Sequence, residues 1–195
     1  MTRNEFAAIF IGIVVGLALA NILASVHKLL EAGRRVRWDW LAPAMAANAA
    51  LLTLGVFWHQ WVQSQITPHH ARHFIAWLPI GAGFFLLYLA CAATLPDEVP
   101  ETGIELRQYY FDSRRRIWGL FGTTFALYLS TWVVSSVQIG LALTLQLNAI
   151  YILMNVVGLT LSLITLTVRA VWWHRIAVAA LAVLLLAVYG PMLLP

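Results

Sequence analysis

The side chains with the most chemistry in their spacing lie in one apolar stretch. Thr144, Asn148, Tyr151, Asn155, Gly158, Ser162 and Thr165 follow one another at alternating steps of four and three, and the next step lands on Arg169. A repeat of about 3.5 residues puts the whole row on one face of a helix that packs with a slight left-handed supercoil. Ile150, Leu153, Val157, Leu161 and Leu163 fall between them and face lipid or other helices. A polar row through an apolar segment is costly unless it meets protein or water. It either glues helices together through small residues and cross-helix hydrogen bonds, or lines a hydrated path for an ion or small polar solute. The first is the plainer reading.

Histidine supplies the one metal-like set. His69 and His73, four apart behind Thr67-Pro68, share a helix face. With His59 across a short turn, three imidazoles could converge on zinc, copper or haem iron. No carboxylate stands nearby to orient them, so they are expected to be polar residues beside Trp58 and Trp61, with no metal and no cofactor. His27 and His174, at the other ends of their helices, would complete a second haem level only if they lay deeper than their positions suggest. Asp97, Glu98, Glu101, Glu105 and Asp112 are interleaved with arginine in one polar stretch and read as a solvated loop. No Ser-His-Asp or Cys-His pattern is visible, and Cys91 stands alone in an apolar run. No catalytic residue is assigned, and an enzyme is the less favoured class.

The elements that carry these residues are set by composition. Of 195 residues, 62% are hydrophobic and 10% charged, too apolar for a soluble domain of this size to bury. The expected fold is an all-α, polytopic integral membrane protein in a single domain, 1–195, with the lipid bilayer as its solvent. Six apolar stretches, roughly 6–26, 41–62, 74–95, 117–137, 144–167 and 174–194, are each long enough for a hydrocarbon layer of roughly 30 Å. The first resembles a leader peptide, but acidic Glu5 weakens its basic start, and it is read as a retained helix. Gln138 and Gly140 alone separate the fourth span from the fifth. The polar stretch 96–116 is expected to hold a short interfacial helix. Pro96 and Pro100 end the third span, and Thr102-Gly103-Ile104-Glu105 has the form of a capping box that would start a helix at 103.

Two further rows consist of small residues: Gly12, Gly16, Ala20 and Ala24 on the first helix, and Gly119, Thr123, Ala126 and Ser130 on the fourth. These suit close helix packing, within a protomer or between protomers. Eleven arginines and Lys28 make the chain basic, but no stripe of them leaves the short loops, so nucleic acid is not an expected partner. All of them except Arg3 and Arg72 lie in the first, third and fifth connections, which puts those connections in the cytoplasm and both termini outside. The nine tryptophans fall near helix ends, as headgroup-level belts would require. Short loops and the lack of a soluble domain favour a bacterial inner membrane. The expected function is an oligomeric channel, or small-solute or ion path, lined partly by the fifth helix. The alternatives are an accessory or regulatory subunit that docks a membrane-protein partner, and an integral-membrane redox or lipid-modifying enzyme.

Overall fold

Where no water reaches the backbone, each peptide group must be bonded within its own segment, and uncharged apolar runs therefore become helices. The structure, a computed structural model, describes residues 3–66 and 74–193. Among these residues the helices are α1 (Arg3–Ala32), α2 (Leu41–Ile66), α3 (Phe74–Thr94), α4 (Leu106–Ile139), α5 (Leu141–Thr167) and α6 (Val171–Leu193). Five are long and apolar enough to cross a membrane, and α3 is apolar over the shorter stretch Leu78–Thr94. The break between α4 and α5 is Gly140 at φ +90°, a backbone conformation that a side-chain-bearing residue resists.

The helices form a ring in the order α1–α3–α4–α5–α6–α2, and α2 also touches α3 and α4. The shared core includes Met45, Leu52, Phe84, Leu87, Phe121, Phe125, Leu181 and Leu185. Leu17, Leu23, Val133, Leu153 and Val183 are more than half exposed on the outside. Such a surface is consistent with a membrane-spanning protein. Polar side chains of α2 point inward: the Asn48 amide Nδ2 donates to the Val178 carbonyl of α6 at 2.9 Å. Thr53 Oγ1 donates to the Ala49 carbonyl and lies 3.5 Å from Cys91 Sγ of α3.

The arginine-rich connections meet at one end of the bundle, called here the basic end. After a short 3-10 turn at Gly33–Arg35, β1 (Val36–Arg37) pairs in parallel with β2 (Ile104–Glu105), Val36 opposite Ile104 and Arg37 opposite Glu105. Lys28 Nζ also donates to the Asp97 carbonyl at 2.8 Å. This bridge replaces the expected capping box and interfacial helix. Gly103 sits at φ +87°, outside the right-handed helical region, and Ile104 and Glu105 are extended to pair with β1. A Cβ at Gly103 would stand 2.5 Å from the Arg35 carbonyl oxygen, so the close approach of the two connections itself requires glycine. Helix α4 starts at Leu106, with Glu105 making no side-chain cap, and runs unbroken to Ile139. The polar stretch is thus a bridged turn feeding one long helix.

Candidate functional site

Helix α5 carries its polar row into the bundle. Asn148, Asn155, Gly158, Ser162 and Thr165 are buried and Tyr151 is half-buried, while Ile150, Leu153 and Leu163 are exposed. Thr144 lies in the first turn of the helix. The 3.5-residue spacing therefore marks the inward face, and the row divides into two halves with different neighbours.

The half nearer the basic end is packed. A Cβ at Gly158 would stand 2.6 Å from the Phe125 ring of α4, and one at Gly122 would stand 3.2 Å from Ser162 Cβ. The glycines let the antiparallel helices close on each other. Ser162 Oγ donates to the Gly158 carbonyl and Thr165 Oγ1 to the Leu161 carbonyl, so both hydroxyls are satisfied within the helix. Thr165 Oγ1 in turn accepts from Trp173 Nε1 at 3.2 Å.

The other half faces an aromatic and polar cluster to which α2, α3, α4 and α6 all contribute. The His59 ring lies 4.1 Å from that of Tyr151 and 6.1 Å from that of Trp132, and Tyr151 lies 6.4 Å from Tyr189. Two glycines make room for the tyrosines. A Cβ at Gly55 would overlap the ring of Tyr189, and one at Gly83 would stand 2.5 Å from the hydroxyl of Tyr128. Asn155 Nδ2 donates back to the Tyr151 carbonyl at 2.7 Å, which holds the amide at the level of this cluster. Its Oδ1 and the Tyr128 hydroxyl are buried without a hydrogen-bond partner among the described residues. Such groups cost about 1–3 kcal/mol each when left unpaired, and buried polar atoms are ordinarily satisfied by protein or water.

The chain matches no family model, no curated protein and no solved structure. Its chemistry therefore rests on these residues alone.

The remaining candidates fall elsewhere. His69 and His73 lie outside the described residues, and His59 is buried against the rings of Tyr151 and Trp132. His27 is exposed and 3.4 Å from Glu31. His174 is fully buried in a one-way chain of hydrogen bonds. Trp118 Nε1 donates to the Tyr110 hydroxyl at 2.8 Å, Tyr110 is 3.0 Å from His174 Nδ1, and His174 Nε2 is 3.0 Å from the Val168 carbonyl. A carbonyl only accepts, so Nε2 carries the hydrogen, and Nδ1 of the neutral ring accepts from Tyr110. Both ring nitrogens are used, so neither is free to ligate haem iron. Trp118 likewise belongs to this buried network, whereas Trp38, Trp40, Trp58, Trp61 and Trp172 are exposed.

The small-residue rows of α1 and α4 do not pack against other described residues of this chain. Gly16, Ala20, Ala24, Thr123, Ala126 and Ser130 are exposed, and Gly12 and Gly119 are only half-buried. Among the described residues, nothing would lie within 4 Å of a Cβ at Gly12, Gly16 or Gly119. Sequence reasoning did not single out Tyr128, Tyr189, Gly55 or Gly83. The one visible signal was Gly55, four residues before His59 and so on the same face of α2.

Proposed function

We propose that this chain is a membrane channel or transporter that takes up a small polar solute from the face opposite its arginines, along a path inside the bundle. The arginine-rich end faces the cytoplasm and both termini lie outside, with a bacterial inner membrane as the setting. The observation that carries the reading is the buried Asn155 carbonyl oxygen, unpartnered among the described residues and one helical turn from Tyr151, whose ring meets those of His59 and Tyr189. The path is closed toward the cytoplasm by the Phe125–Gly158 contact, so conduction requires these two helices to part.

A second reading, an accessory subunit or an oligomer built through the outer small-residue rows, is favoured by the open face of α1 at Gly12 and Gly16. One reconstitution separates the two. Proteoliposomes holding the full chain should swell in iso-osmotic urea or glycerol faster than empty vesicles, and Asn155→Leu should abolish the difference. Gly16→Leu should leave swelling intact. No swelling above empty vesicles, together with loss of an oligomer in Gly16→Leu, would favour the subunit reading.

A further inference from the structure

We infer that the cluster around Asn155 selects an uncharged, hydrogen-bond-donating solute of the amide or urea class and rejects ions. The inference rests on the solute path proposed above and names what the path takes. Asn155 is 3% exposed and its Oδ1 can only accept, so it asks for an N–H or O–H donor. Tyr128 is 8% exposed as a residue, and its hydroxyl, buried and likewise unpartnered among the described residues, can accept a donor or donate to a carbonyl. Flat rings of Tyr151, Tyr189 and His59 complete the cluster, and these suit a planar solute.

Charge decides against an ion. No Asp, Glu, Lys or Arg occurs between Asp39 and Arg72, between Arg116 and Arg169, or after Arg175, so α2, α5 and the far parts of α4 and α6 bring no formal charge to the cluster. The described part of α3 carries none either. A bare cation here would give up its hydration for ring faces and one or two oxygens, with no carboxylate to balance it. An acetate-like anion would meet an acceptor where it needs a donor. A neutral amide offers N–H groups to Asn155 Oδ1, and it gives up far less hydration than an ion.

The test is binding of radiolabelled acetamide to the purified full-length protein in detergent, with methylammonium and acetate as competitors of similar size. Acetamide should bind saturably, urea should compete, and neither ion should. Asn155→Leu should weaken binding by about tenfold or more. Asn155→Asp keeps the shape and the acceptor and, when ionised, adds a negative charge, so it should gain methylammonium binding, a change that a merely misfolded variant would not give. Equal competition by methylammonium would overturn the neutral class and leave the solute path standing. No saturable binding, with swelling still above that of empty vesicles, would overturn the Asn155 site while sparing the path. Absence of both binding and swelling would overturn the two together.

Discussion

Gly55→Ala is expected to lower the stability of the folded bundle by about 1–3 kcal/mol, although alanine is the better helix former. The added Cβ falls on the ring of Tyr189, which is 3% exposed. The ring atoms it meets are those near the Tyr189 backbone as well as its edge, so a small rotation cannot clear the overlap. Tyr189 is further confined by the neighbouring Tyr151 ring. The control is Gly12→Ala, where nothing among the described residues lies within 4 Å. It should be neutral or stabilising by up to about 1 kcal/mol, the ordinary preference for alanine in a helix. Thermal unfolding in detergent gives both signs. Equal behaviour of the two variants would mean that Tyr189 is not seated against α2, and the cluster would lose one wall.

Tyr110→Phe should be at least as costly. Removing one oxygen strands the acceptor Nδ1 of His174 and the donor Nε1 of Trp118, in residues that are fully buried. Each stranded group costs about 1–3 kcal/mol. Trp118→Phe removes only the first donor of the chain and should cost less in hydrogen bonding, though it also loses packing. The double variant Tyr110→Phe/His174→Phe should cost less than the sum of its parts by about 0.5–3 kcal/mol, because the second change removes a group that the first left unpaired. Strict additivity would show that the three side chains do not act as one network.

The helices are legible because hydropathy and charge are local properties, and each of the six apolar stretches corresponds to one helix among the described residues. The α4–α5 break was legible from Gly140 for the same reason. The capping box was misread because Thr102 and Glu105 have the right types at the right spacing, while the decisive contact is with Arg35, far away in sequence. The α5 row was visible as a periodicity, yet its two halves looked alike. What tells them apart is Phe125 and Gly122 on α4 against His59 on α2 and Tyr189 on α6. Those partners are chosen by tertiary packing, and no pattern within α5 encodes them. The small-residue rows of α1 and α4 were read as contacts from spacing alone, and spacing does not say whether a face turns inward or outward.

The central claim is that the α5 row is solvated at Asn155 and sealed beyond Gly158. The most direct measurement is the reaction of single cysteines with a small, uncharged, strongly hydrophilic thiol reagent added from the face opposite the basic end. Cys91→Ala removes the background thiol; Thr53 keeps its bond to the Ala49 carbonyl, so that change leaves no hydroxyl stranded. Asn155→Cys should react, Ser162→Cys and Thr165→Cys should stay protected, and the inward-packed control Leu185→Cys should also be silent. An unreactive Asn155→Cys, or a Ser162→Cys that labels as fast as Asn155→Cys, would contradict the account.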